Sequence, residues 1–207
     1  MKGSLNGGVS PTPGTFLPTG SHNYVVSFSN CVWLFWGNEG MELNGVVSAA
    51  YDAADWSNLT ATVSAESVRG QGTYLGGRSG ISDVTAGGSA VWTRVGSSTK
   101  TTTYTPAAGS RLVNNSTANV ATFGGGSYSH IRYPGNRWDE RFDSLKVAIN
   151  GTEYTLNGSL ETTIQPNGST TYTGEIRIIN NGTLVARIYG DVRKVLTIEV
   201  LVPLVPL

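Results

Sequence analysis

The sequence predicts an all-β protein of antiparallel strands, arranged as a β-sandwich or an extended meander. Three observations predict it. Glycine is abundant, at 27 of 207 residues, while charged residues make up only 14%. Ser, Thr and Asn fill the polar positions that Lys and Glu occupy on helical surfaces. Asn-Gly pairs recur between short runs that alternate apolar and polar residues.

Taken in order, residues 1–22 are rich in Gly, Pro, Ser and Thr ("GGVSPTPGTFLPTGSH") and are expected to form a flexible arm. Pro11, Pro13 and Pro18 exclude a helix and a central strand there. Residues 23–207 are expected to form the all-β domain, as one unit or as two related halves, 23–127 and 128–207. The one window tolerable as a helix is "MELNGVVSAAYDAADW", and Gly45, Val46 and Val47 argue against it. Between residues 66 and 127 the runs "AVWTRV", "KTTTYTP" and "ANVATF" read as shorter strands joined by longer loops.

The C-terminal third is clearest. "LKVAI" precedes Asn150-Gly151, "EYTL" precedes Asn157-Gly158, "LETTIQ" precedes Pro166-Asn167-Gly168, and "YTGEIRII" precedes Asn180-Asn181-Gly182. Asn-Gly supplies the positive φ angles of a two-residue hairpin turn. Asn157-Gly158 is read as such a turn, with a bulge inside a longer strand as the alternative. Ile176 and Ile178 alternate with Glu175 and Arg177. Leu196, Ile198 and Val200 alternate with Thr197 and Glu199. One apolar and one wet face are expected. Asn-x-Ser/Thr triplets at Asn58, Asn114, Asn115, Asn150, Asn157, Asn167 and Asn181 are read as turn chemistry rather than glycan acceptors.

Phe28–Ala49 ("FSNCVWLFWGNEGMELNGVVSA") aligns with Phe142–Thr162 ("FDSLKVAINGTEYTLNGSLET"). Both open on Phe and reach Leu-Asn-Gly after a turn. Such a repeat indicates a duplicated hairpin unit, the alternative being chance reuse of Asn-Gly turns. "FSNC…LNG", "WSNLT" and "YTLNGSL", within Tyr24–Val63 and Phe142–Val200, resemble uncharacterised β-rich exported proteins and lipoproteins of bacteria. That resemblance implies an extracytoplasmic β-protein and assigns no catalytic residue.

The chain has 14 basic and 14 acidic side chains. A balanced charge provides no field for nucleic acid or an anionic membrane. No apolar run is long enough for a membrane helix. "MKGSLNGG" lacks the apolar core of a signal peptide, so an extracytoplasmic chain is expected to have lost its leader. Cys31 is the sole cysteine and is read as a buried small hydrophobe.

"YSHIRYPGNRWDERF" is the candidate site. His130 would act as a base, Asp139 or Glu140 would orient it, and Arg132 or Arg137 would hold an anion. Tyr133-Pro134-Gly135-Asn136 reads as a turn that folds the segment into a hairpin. The alternative is a solvated hairpin with cross-strand ion pairs. Tyr133 and Trp138 join Arg132 and Arg137 as candidate ligand contacts. Glu153, Glu161 and Glu175 sit on predicted strands, where the two carboxylates of a glycan-cleaving enzyme could lie. No metal site and no cofactor are expected. Asp52 and Asp55 are a weak calcium motif, and two histidines with one cysteine do not make a structural zinc site.

The end, "VLTIEVLVPLVPL", is a strand running into Pro-spaced apolar residues. Leu201, Val202, Leu204, Val205 and Leu207 are expected to contact a partner, because apolar surface costs about 25 cal/mol per Å2 in water. The expected function is a non-enzymatic structural or surface-assembly module, associating with itself or another surface protein. A carbohydrate-binding module using exposed Trp and Tyr comes second, and a two-carboxylate glycan-cleaving enzyme third.

Overall fold

A computed structural model describes residues 2–7, 20–36, 39–55, 57–74 and 83–202. The strands are β1 (Lys2–Gly7), β2 (Gly20–Trp36), β3 (Glu39–Asp55), β4 (Asn58–Tyr74), β5 (Asp83–Val95), β6 (Lys100–Pro106) and β7 (Arg111–Asn114). They continue as β8 (Asn119–Tyr133), β9 (Arg137–Ile149), β10 (Thr152–Ile164), β11 (Thr170–Asn180), β12 (Thr183–Gly190) and β13 (Leu196–Val200). No helix occurs among the described residues. All 13 strands belong to one antiparallel sheet, and its neighbours follow chain order. The exception is short β7, which pairs with β5 and β8 beside β6. The all-β antiparallel class expected from the sequence is therefore the class observed.

The Asn-Gly turns close the hairpins as their chemistry requires. Asn150 and Gly151 have φ of 49° and 86°, and Asn181 and Gly182 have 47° and 78°. Both pairs supply the two positive φ angles of a type I′ turn. Asn157-Gly158 is different: it lies inside β10, where the register with β9 shifts between Leu156 and Gly158. The turn expected there is a bulge. Gly158 tolerates it because it has φ of 113°, and a Cβ would lie 2.2 Å from the Glu175 carbonyl oxygen.

The two repeat copies occupy equivalent hairpins. Phe28 pairs with Gly45 across β2 and β3, as Phe142 pairs with Gly158 across β9 and β10. Gly45 also has positive φ, 132°, and it too sits at a bulge. Further register shifts fall at Ala65/Val68 in β4 and Gly125/Ser127 in β8. Bulges bend strands and increase twist.

Strand residues alternate between the two faces of the sheet. One row of register partners runs Ala61, Trp92, Tyr104, Tyr128, Phe142, Gly158, Ile176, Ile188, Ile198, from β4 to β13. Its face carries a trough of about 800 Å3, lined among others by Val63, Leu160, Ile176 and Leu196. Leu160, Ile176 and Leu145 are buried there. Ala53, Leu59 and Ala61 form a smaller cluster with Val63 and Trp92 against it.

At β13 the expected alternation is present, but its exposure is inverted. Leu196, Ile198 and Val200 are exposed, while Thr197 and Glu199 are partly buried. Within the segment read as an arm, Lys2–Gly7 forms β1 and pairs with β2. Residues 8–19, the side chains of Cys31, Trp33 and Trp36, and Trp56 lie outside the described residues. Leu204, Val205 and Leu207 do so as well. No helix among the described residues is long and apolar enough to cross a membrane.

Candidate functional site

The β8–β9 hairpin forms around the turn at Pro134–Asn136, and it pairs His130 with Glu140 and Arg132 with Trp138. Alternation then divides the candidate residues. His130, Arg132, Trp138 and Glu140 share the trough face with Tyr128. Tyr133, Arg137 and Asp139 occupy the opposite face.

On the opposite face the side chains neutralise one another. The Arg137 guanidinium lies 4.2 Å from the centre of the Tyr133 ring and 3.6 Å from Glu161. Asp139 is buried, 3.3 Å from the Arg141 guanidinium, and is the register partner of Glu161. Glu153 pairs with Lys146 at 3.8 Å and Glu175 with Arg177 at 3.3 Å. Asp139 therefore does not orient His130.

On the trough face Glu140 does. His130 Nδ1 is 2.8 Å from Glu140 Oε1, and the Tyr128 hydroxyl donates to Glu140 Oε2. Burial first, and then that hydrogen bond, push the Tyr128 phenol far above its ordinary value of 10.0. Glu140 is the carboxylate that lines the trough. With both oxygens engaged, it is a fixed acceptor.

The rings beside it form a ladder. Trp92 and Tyr104 have centroids 6.4 Å apart, Tyr104 and Tyr128 6.0 Å, and Tyr128 and Phe142 5.2 Å. Cross-strand aromatic pairs of this kind stabilise a sheet and set its register. Trp92, Thr102, Tyr104, Tyr128 and His130 line a pocket of about 660 Å3. Tyr104 is 44% exposed there.

The neighbouring rows add polarity. Arg94, Thr102, His130 and Glu140 are successive register partners, as are Lys100, Arg132 and Trp138. All lie on the pocket's face. Sequence reasoning selected His130, Arg132, Trp138 and Glu140, and counted Trp92 among the rings that could stack on sugars, but did not single out Arg94, Lys100 or Tyr104. Those come from β5 and β6, and only the register between strands brings them alongside.

Among the described residues no group of three His, Cys, Asp or Glu side chains is placed to hold a metal ion. Asp52 is exposed on β3, and the side chain of Asp55 lies outside the described residues. Comparison with protein-family models, with curated proteins and with solved structures finds no match to this chain.

Proposed function

We propose that the protein is a non-enzymatic assembly module of an extracytoplasmic surface, joining a second copy or another surface protein through β13. One observation carries this: on β13 the apolar residues are the exposed ones, Ile198 by 68% and Val200 by 56%. Among the described residues β13 pairs only with β12, so its outer backbone groups are open. An exposed apolar edge strand is a template for pairing with another chain. Leu201 and Val202, 46% and 40% exposed, continue the surface. The Gly-, Ser- and Thr-rich composition with few charges supports the extracytoplasmic setting.

The test is sedimentation of the full chain over a range of concentrations, beside Ile198→Lys and Val200→Lys. These positions are exposed, so both variants should fold. Concentration-dependent association lost in both variants supports the proposal. A wild-type chain that stays monomeric, alone and with surface extract, overturns it.

Carbohydrate binding is a second function with its own support. The pocket at Trp92, Tyr104 and Tyr128 presents rings suited to the apolar faces of sugars, and Thr102 and His130 supply hydrogen-bonding groups. Quenching or enhancement of tryptophan fluorescence by oligosaccharides, lost in Tyr104→Ala, tests it.

A further inference from the structure

We infer that the pocket at Trp92 and Tyr104 takes an anionic saccharide, a sugar chain carrying carboxylate or sulfate groups. The inference rests on the carbohydrate-binding function above and names the class of sugar.

The reason is an uncompensated set of cations. Lys100 and Arg132 are direct register partners on β6 and β8. Arg94 lies on the same face at the adjoining row, opposite Thr102. Among the described residues none of the three has a carboxylate within ion-pair distance. The Arg94 Nε is buried and lacks a hydrogen-bond partner. Elsewhere in the sheet Arg69, Arg137, Arg141, Arg177 and Arg187 each face an acid, and Arg111 on β7 does not among the described residues. Like charges directly opposite each other destabilise a sheet, and an unpartnered buried donor costs more. A bound anion relieves the repulsion between Lys100 and Arg132.

The pocket beside these cations selects the kind of anion. Aromatic rings accept the C–H faces of a sugar. Thr102 and His130 can bond hydroxyls at its polar side. Glu140 is a carboxylate in the row of Arg94, beside the row of Lys100 and Arg132. It repels every anion alike, so the preference for a sugar rests on the rings and on Thr102 and His130. The chain's zero net charge also withholds the broad field that nucleic acid binding uses.

The experiment is calorimetric titration of the full chain with four probes: an oligogalacturonate, a sulfated heparin-derived oligosaccharide, neutral maltohexaose and a single-stranded oligonucleotide. At least one anionic sugar should bind roughly tenfold or more tighter than maltohexaose, with an advantage that shrinks as salt is added. The better of the two identifies carboxylate or sulfate. Lys100→Gln and Arg132→Gln should each weaken that sugar about tenfold without lowering the melting temperature, since each relieves repulsion. Equal binding of neutral and anionic sugars overturns the inference and leaves carbohydrate binding standing. Binding of no sugar overturns both. An oligonucleotide that binds as tightly as the anionic sugars, or variants that bind like the wild type, overturns the inference.

Discussion

Phe142 on β9 is the direct cross-strand partner of Gly158 on β10. The glycine absorbs the bulge at that point and lets the Glu175 backbone of β11 come close. Gly158→Ala should cost roughly 3 kcal/mol, because the added methyl meets the Glu175 backbone at a positive φ. Gly182→Ala, at a turn where a Cβ meets nothing within 4 Å, should cost only about 1 kcal/mol. Urea denaturation of both variants checks the contrast.

Leu160 is buried on the trough face, opposite Glu140. Leu160→Ala should destabilise by about 2–5 kcal/mol, through lost burial and the cavity left behind. Thermal melts should show this as a fall in Tm with the β-sheet spectrum retained below it.

Tyr128 should resist ionisation in the folded chain. Its phenol is raised well above 10.0 by burial and by its bond to Glu140. The neutral form is the one the fold favours, so this stabilisation is complete below pH 10 and is lost as pH rises beyond it. Native wild type and Tyr128→Phe should give the same phenolate absorbance near about pH 11, and unfolded wild type should give more. Glu140→Gln should shift the ionisation of Tyr128 to lower pH, so that more phenolate forms at a given pH.

Asp83 on β5 ties β4 to the turn that follows β7. Its carboxylate accepts from Arg69 Nε at 2.9 Å and from Asn115 Nδ2 at 2.7 Å. The Arg69 hydrogen bond first, and the Asn115 bond second, lower its pKa from 3.8 to about 2. The stability this adds is present above pH 3.8 and is lost as pH falls through about 2. Asp83→Asn should flatten that acid limb, as read from urea midpoints measured across it.

Much of the fold was legible in local chemistry. Asn150-Gly151 and Asn181-Gly182 announce their turns, because few other pairs accept two positive φ angles. The Pro134–Asn136 turn follows from the run Tyr133-Pro134-Gly135-Asn136, and the His130–Glu140 pairing from folding the segment about it. Glycines inside strands misled. Asn157-Gly158 and Gly124–Gly126 read as breaks, yet β10 and β8 run through them. A glycine marks a bulge or a turn alike, and only the partner strand decides which. β7, four residues long, gave no pattern to read. The cation set was hidden for the same reason. Arg94, Lys100 and Arg132 belong to three strands, and nothing local says that they share a face.

Neighbours in this sheet are neighbours in the chain, apart from the step around β7. From β8 onward each strand can therefore close on the one just made across a short connection, with little loop entropy to overcome. Growth of the sheet during synthesis resembles a zipper rather than a collapse, and it leaves the newest strand as an open edge at every stage. Among the described residues β13 is such an edge, with its apolar residues facing water. The last docking step of folding and the first step of association are then the same physical event, made with the next strand in one case and with another chain in the other.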